Sequence, residues 1–283
     1  MPLHIPSYLS HNFRVVRENG DEYDMRSVGI LVKKFYPESP SPVHTRETIE
    51  GRPGFIDMGT VLDGRTLHAE CELRSVDIPD FALYQDEVFR IFDSREYFYL
   101  ICDAEPGKRW HVKYDSKFNI EQKAREGTFA IDFISNLPYA ESVGRTDTDP
   151  ITMDSDKWQF VGAGLTFEED MIYQWSQNNF RIFNGGDETV DPRFHELLIK
   201  FKGASNGLTI KNLTTGDSFK FNQSTSASDE LDLDGPQVLL NDESSLSKSN
   251  RQLIRLVPGW NDIQVSGTGG AFIISFGFRW LYL

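Results

Sequence analysis

Cysteine is scarce: Cys71 and Cys102 are the only two in 283 residues. Two thiols build neither a disulfide framework nor a structural metal cluster. Both lie in strand-like apolar patterns and read as buried free thiols, in keeping with a chain that matures in a reducing cytoplasm. Histidine is nearly as rare. None of His4, His11, His44, His68, His111 and His195 shares a ligand-like spacing, and no HExxH occurs. These imidazoles are expected to be solvated or hydrogen-bonded rather than catalytic or metal-bound. Long apolar runs are missing too. The nearest, Ala271–Phe278, contains Ser275 and Gly277 and is far short of the ~18 residues a membrane span needs. The first ten residues, MPLHIPSYLS, hold no basic segment followed by an apolar run, so no signal peptide is expected. Positive charge is in short supply: 29 Lys and Arg face 43 Asp and Glu, a net charge of −14, with −8 before residue 150 and −6 after it. A duplex-DNA binder needs concentrated Lys and Arg to displace counterions, so specific nucleic-acid binding is not expected.

Phenylalanine is abundant, with 21 residues, and aromatics reach 13% of the chain. Aromatics favour strands, so the composition leans towards β. A 32.4 kDa chain suits two domains of ~100–150 residues, with one large β domain as the other possibility.

The one clear helical window is Pro79–Asp93. Phe81, Tyr84, Val88, Ile91 and Phe92 recur at three- and four-residue steps, with Pro79 placed for a first turn and Asp80 for the positive end of the dipole. Strands surround it. Leu67, Ala69, Cys71 and Leu73 alternate with polar residues across Thr66–Arg74. Tyr97–Cys102 and Trp110–Tyr114 flank a Pro106-Gly107 turn, and Gly127–Ile134 follows with Phe129, Ile131 and Phe133 on one face. The stretch from Glu141 to Asp156 is polar and aperiodic and reads as a domain boundary. Beyond it the pattern is almost wholly β. Leu197, Ile199 and Phe201 alternate with Leu198, Lys200 and Lys202, and Asn206-Gly207 predicts a hairpin before Leu208–Leu213. Asp234-Gly235 and Pro258-Gly259 predict further turns, and Phe272, Ile274, Phe276, Phe278, Trp280 and Tyr282 share one face of the final segment. The expected fold is mainly β: an N-terminal α+β domain at residues 1–145, a sheet or barrel-like unit with one helix, then a C-terminal β-sandwich or jelly roll at 146–283.

Chemistry-bearing constellations are thin. No Gly-x-Ser-x-Gly elbow or phosphate-binding loop is present, and Gly162-Ala163-Gly164 is too short to serve as one. Glu230, Asp232, Asp234 and Gly235 imitate the first half of an EF-hand loop, but its twelfth position is Asn241 instead of a bidentate Glu, so a charged hairpin turn is the plainer reading. The acidic groups Glu168-Glu169-Asp170, Asp229-Glu230 and Asp242-Glu243 read as solvated surface. No catalytic, metal or cofactor residue is therefore assigned, and the expectation is a non-enzyme. Trp158, Trp175, Trp260 and Trp280 could stack on sugar rings if exposed. Trp280 belongs to an alternating strand and reads as core, which leaves Trp260 as the candidate saccharide contact.

Taken in order, several segments resemble the distal tail (Dit) family of siphophages that infect Gram-positive bacteria. They are IEGRPGFIDMG (49–59), RTLHAECELRS, the helix at Phe81–Phe92, YFYLICDAEPGKRWHVKY, ISNLPYAES, and the C-terminal NNFRIFNGGDETVDPRFHELLIKFKG, NLTTGD and LVPGWNDIQVSG. The resemblance implies a structural hub at the phage tail tip, assembled in the host cytoplasm, with a galectin-like C-terminal domain. It implies a homo-oligomeric, hexameric ring that joins the tail tube protein to a tail hub or tail-associated lysin-type protein and to receptor-binding proteins, with DNA able to pass through. A host cell-wall saccharide is a further possible partner, and a membrane is not. The Phe35–Val61 excursion, rich in Pro and Gly and too long for a hairpin loop, is expected to be an arm or belt reaching a neighbouring subunit; a surface loop is the alternative. The competing functional readings are a carbohydrate-binding protein that recognises a bacterial cell-wall glycan and, less favoured, a glycan hydrolase.

Overall fold

The computed structural model describes residues 11–115, 117–152, 154–160 and 171–283. His4, Gly162–Gly164 and Glu168–Asp170 lie outside the described residues. The chain divides into two compact units, residues 1–140 and 141–282. The expected β-rich, two-domain fold with one α-helix is what the described residues form.

The first unit contains β1 (Phe13–Arg17), β2 (Glu22–Asp24), β3 (Ile30–Pro37), β4 (Pro42–Glu47), β5 (Ile56–Leu62), β6 (Arg65–Arg74), α1 (Phe81–Ile91), β7 (Phe98–Cys102), β8 (Lys108–Tyr114), β9 (Glu121–Lys123) and β10 (Glu126–Ser135). Its main sheet is antiparallel and runs β2-β1-β7-β8-β10-β6-β3. Period-two alternation sets the register: Leu67, Ala69, Cys71 and Leu73 on β6 lie opposite Phe133, Ile131, Phe129 and Gly127 on β10, and all four β6 residues are buried. An aromatic cluster fills the core. The Phe133 ring lies 5.7 Å from Phe92, 6.0 Å from Phe98 and 6.2 Å from Phe13. Each such ring contributes roughly 1.5–3 kcal/mol by leaving water.

The helix is shorter than its sequence window. It starts at Phe81, because Asp77 Oδ1 accepts the backbone N–H of Asp80 and holds Pro79-Asp80 in the preceding turn. Phe81, Val88, Ile91 and the adjoining Phe92 are buried as the spacing requires, while Leu83 and Phe89 stay exposed. Cys71 is buried, which pushes its thiol up to about 12; Cys102 is half-buried and raised in the same direction.

The second unit opens with β11 (Ala140–Ser142), whose end it shares with the first, and continues through β12 (Gln174–Trp175), β13 (Asn179–Asn184), β14 (Leu197–Asn212), β15 (Ser218–Lys220), β16 (Ser224–Thr225), β17 (Glu230–Asp234), β18 (Gln237–Leu240), β19 (Glu243–Ser244), β20 (Gly259–Phe278) and β21 (Leu281–Tyr282). The polar stretch after Glu141 is built into this unit rather than left as a bare linker. Ser142 N–H donates to Trp280 O, and the Thr146 hydroxyl donates to Phe276 O.

The long β14–β20 pair is the spine of this unit. Here the structure corrects one sequence expectation. Asn206-Gly207 does not turn the chain into a hairpin: β14 runs straight through it. Gly207 has φ +67° and faces Gly267 on β20 at φ +80°, a position where an added Cβ would meet the Gly207 carbonyl oxygen at 2.6 Å. The buried positions change parity at the same place on both strands. They go from 199, 201, 203 and 205 to 208, 210 and 212 on β14, and from 261, 263 and 265 to 272, 274 and 276 on β20. A bulge in each strand thus keeps the apolar side on the core while the ladder kinks. The Asn-Gly signal is one for positive φ, and a paired bulge meets it as well as a hairpin does.

Candidate assembly surface

Among the described residues β4 and β5 pair only with each other, forming a two-stranded antiparallel ribbon apart from both large sheets. Val43, Thr45, Ile56, Thr60 and Val61 supply the β-branched residues that favour such pairing. Between Thr45 and Arg46 the register shifts, leaving Met58 without an opposite residue, and Gly59 takes φ +128° beside it. At the tip Gly51 and Gly54 adopt φ +79° and +87°, and Arg52 N–H donates to Ile49 O across the turn. His44 Nδ1 and Thr60 Oγ1 lie 2.7 Å apart across the strands, and the Arg46 guanidinium sits 4.3 Å above the Phe55 ring.

Every residue of β4 is exposed, and so are Ile49, Phe55, Met58 and Val61, the last at 66%. Isolated two-stranded hairpins are marginal in water, and contiguous exposed apolar surface marks an interaction site. Within the Phe35–Val61 excursion the chain forms an ordered two-stranded ribbon, β4 with β5.

Its root is anchored where the ribbon meets β3 and β6. Arg65 is buried, with Nε donating to Glu38 O at 2.7 Å, Nη1 donating to Pro138 O, and the guanidinium 5.1 Å from the Trp110 ring centroid. Burial lowers its pKa. Outside this core contact, His68 lies between two carboxylates. Its Nε2 is 2.7 Å from Glu38 Oε1 and its Nδ1 is 2.6 Å from Asp132 Oδ1, with the Tyr36 ring at 5.3 Å. A neutral imidazole carries one N–H, so donating to both takes the imidazolium. The hydrogen bond to Glu38, followed by that to Asp132, raises its pKa.

The other histidines are dispersed. His111 is stacked between Tyr99 and Tyr97, with ring centroids at 4.8 and 4.6 Å, and His195 is partly buried with Nδ1 accepting the Asp191 N–H. His11 is exposed and His44 sits in the ribbon. The EF-hand-like segment forms the β17–β18 hairpin, where Glu230 and Asp232 both engage Lys200 Nζ, at 3.0 and 2.9 Å.

The tryptophans separate as well. Trp280 is fully buried, 4.9 Å from Trp158, itself buried, and Trp175 stacks on Phe180. Trp260 is partly exposed, but the Arg181 guanidinium covers its ring at 4.4 Å and Phe183 meets it at 5.0 Å. Sequence reading named Trp260 without Arg181. That neighbour comes from the β13–β20 register, which sets Arg181 opposite Asp262 and Phe183 opposite Trp260.

Residues 22–135, which hold the ribbon and its root, match the phage tail protein RIFT-related domain family. That match falls within the first unit. No curated protein matches the chain by sequence. Among solved structures, SPP1 Dit (gp 19.1), described as a paradigm of hub adsorption apparatus in Gram-positive infecting phages, aligns with a TM-score of 0.68 at 11% identity, over 95% of this chain and 99% of that one. The phage P2 baseplate in its activated conformation aligns with a TM-score of 0.44 in both its Ca and Sr forms, at 9% and 8% identity, over 94% of this chain and 97% of the other. The likeness to SPP1 Dit is thus one of fold.

Proposed function

We propose that the chain is the subunit of a ring, hexameric by analogy with the distal tail family, that joins the tail tube to the host-adsorption apparatus at the virion tail tip. The ribbon from Pro42 to Leu62 carries this reading. It is a segment with no fully buried residue on either strand, apolar side chains turned to water, and a root held by Arg65. Such a ribbon gains its stabilisation from another surface, and a closed ring of identical subunits supplies one to every copy. The likeness of fold to SPP1 Dit supports the same reading. The partners are further copies of the chain, the tail tube, a tail hub protein and receptor-binding proteins, and the wall of such a ring, part of a protein of net charge −14, would let DNA pass without holding it.

The alternative, saccharide recognition through Trp260, meets a ring whose face is already covered by Arg181. Negative-stain microscopy of the purified protein tests the ring. Annular particles with a central opening are expected, and a uniform population of single subunits at high concentration overturns the reading.

A further inference from the structure

Asn-Gly is the dipeptide whose backbone nitrogen most readily attacks the preceding side chain, because glycine has no Cβ to obstruct the approach. It occurs at Asn19-Gly20, Asn184-Gly185 and Asn206-Gly207. Attack needs the glycine N–H freed from its acceptor and the asparagine amide free to turn towards it. The fold therefore decides which of the three reacts.

Two are held. Asn184 is fully buried, with Nδ2 donating to Glu188 O at 2.9 Å and to Leu256 O at 3.0 Å, and Oδ1 accepting the Gly186 N–H at 3.0 Å. Gly185 lies against the Trp280 ring, where an added Cβ would come within 2.5 Å. Asn206 is exposed but lies inside β14, whose backbone pairs with β16 and with β20. The Ser224 hydroxyl donates to Asn206 Oδ1, and the Gly207 N–H donates to Gln223 O.

Asn19 is placed differently, in the exposed turn from β1 to β2. Arg17 N–H donates to Asp21 O at 2.8 Å and Gly20 N–H to Arg17 O at 3.0 Å, and these two bonds close the turn. β2 is three residues long and stands at the end of the sheet order. A turn at such an edge opens locally at little cost in free energy, whereas a strand within a ladder opens only with its unit. The Asn19 amide is also oriented. Its Oδ1 accepts the Asp21 N–H at 3.0 Å, and its Nδ2 donates to Asp21 Oδ2 at 2.8 Å. The Asp21 N–H thus stands where negative charge develops when Cγ is attacked, the part an oxyanion donor plays.

We propose that the Asn19-Gly20 turn is a site of spontaneous deamidation, which converts Asn19 to aspartate and isoaspartate. The Gly20 nitrogen gives up its proton to solvent base and bonds to Asn19 Cγ. The Cγ–Nδ2 bond breaks, ammonia leaves, and a succinimide closes. Water then adds at either imide carbonyl and reopens the ring, so one water is consumed for each ammonia released. Both products set a new carboxylate beside Asp21, in a turn that already holds Glu18, Asp21 and Glu22. Isoaspartate also adds a carbon to the main chain, so the Arg17–Asp21 closure is lost and β2 frays from β1.

The test incubates the full chain in mildly alkaline buffer and samples it over time. Trypsin places the three sites on separate peptides, Glu18–Arg26, Ile182–Arg193 and Gly203–Lys211, and mass spectrometry follows the replacement of NH2 by OH in each. Asn19 is expected to convert about tenfold or more faster than Asn184 and Asn206 in the folded chain, and the three rates to converge in concentrated urea. The first acidic species on anion exchange should be absent from Asn19→Gln. Asn184 or Asn206 converting as fast as Asn19 in the folded chain overturns the proposal. So does an Asn19 that leads by the same margin in urea, or an acidic species that survives Asn19→Gln.

Discussion

The β4–β5 ribbon and the β14–β20 spine are both antiparallel pairs, yet they solve opposite problems. In the spine, alternate residues vanish into the core, and both strands bulge together so that the alternation survives a kink. In the ribbon no residue of β4 is buried, although Val43 and Val61 stand directly opposite each other as a core pair would. Hydrogen-bonded strand pairing therefore says little about what holds a pair in place. The spine is held by its own unit, and the ribbon is left exposed to solvent.

The sharpest break in that comparison comes from the spine's end. Trp280 is fully buried against Trp158, Phe183 and Phe160, so Trp280→Ala should cost ~3–5 kcal/mol, read by urea unfolding of the full chain. A loss below about 1 kcal/mol would show that this aromatic plug does not carry the second unit. Gly185→Ala probes the same plug from the outside. An added Cβ would come within 2.5 Å of the Trp280 ring, predicting a loss of ~1–3 kcal/mol in the same assay.

In the ribbon the expected effect on folding is small. Val61→Ser should change stability by no more than ~0.5 kcal/mol, because the side chain is already 66% exposed, while weakening self-association in sedimentation measurements. A large loss of stability instead would mean that the ribbon packs on its own unit.

The smallest effect concerns pH at the ribbon's root. The pKa of His68 is raised from its ordinary 6.5 by Glu38 and then Asp132, so its stabilising contribution is complete below 6.5 and is lost as pH rises through the elevated value. An NMR titration of the His68 ring should show a midpoint above 6.5, and His68→Gln should flatten the pH dependence of Glu38 amide exchange over that window. A midpoint at or below 6.5 would remove the imidazolium bridge.

Much of this fold was legible in the sequence because its strands alternate cleanly. Leu67, Ala69, Cys71 and Leu73, and Phe272 through Phe278, declare their buried face residue by residue. The ribbon was legible as an excess of Pro and Gly over too long a gap, and its pairing register was not. Asn206-Gly207 shows where the local signal stops: positive φ is encoded, but whether it serves a hairpin or a bulge is decided by Gly267, sixty residues on. The bridge at His68 and the cover over Trp260 were hidden for a related reason. Glu38, Asp132 and Arg181 reach them only across strands, and no spacing along the chain announces a cross-strand neighbour.

The central claim is that the ribbon serves assembly and not folding. Native mass measurement of the intact chain beside a variant with residues 42–62 replaced by a short Gly-Ser linker tests it directly. The account predicts a closed oligomer near six times 32.4 kDa for the intact chain, and a monomer with an unchanged melting temperature for the variant. An oligomer of the same mass without the ribbon, or a variant that no longer folds, would contradict it.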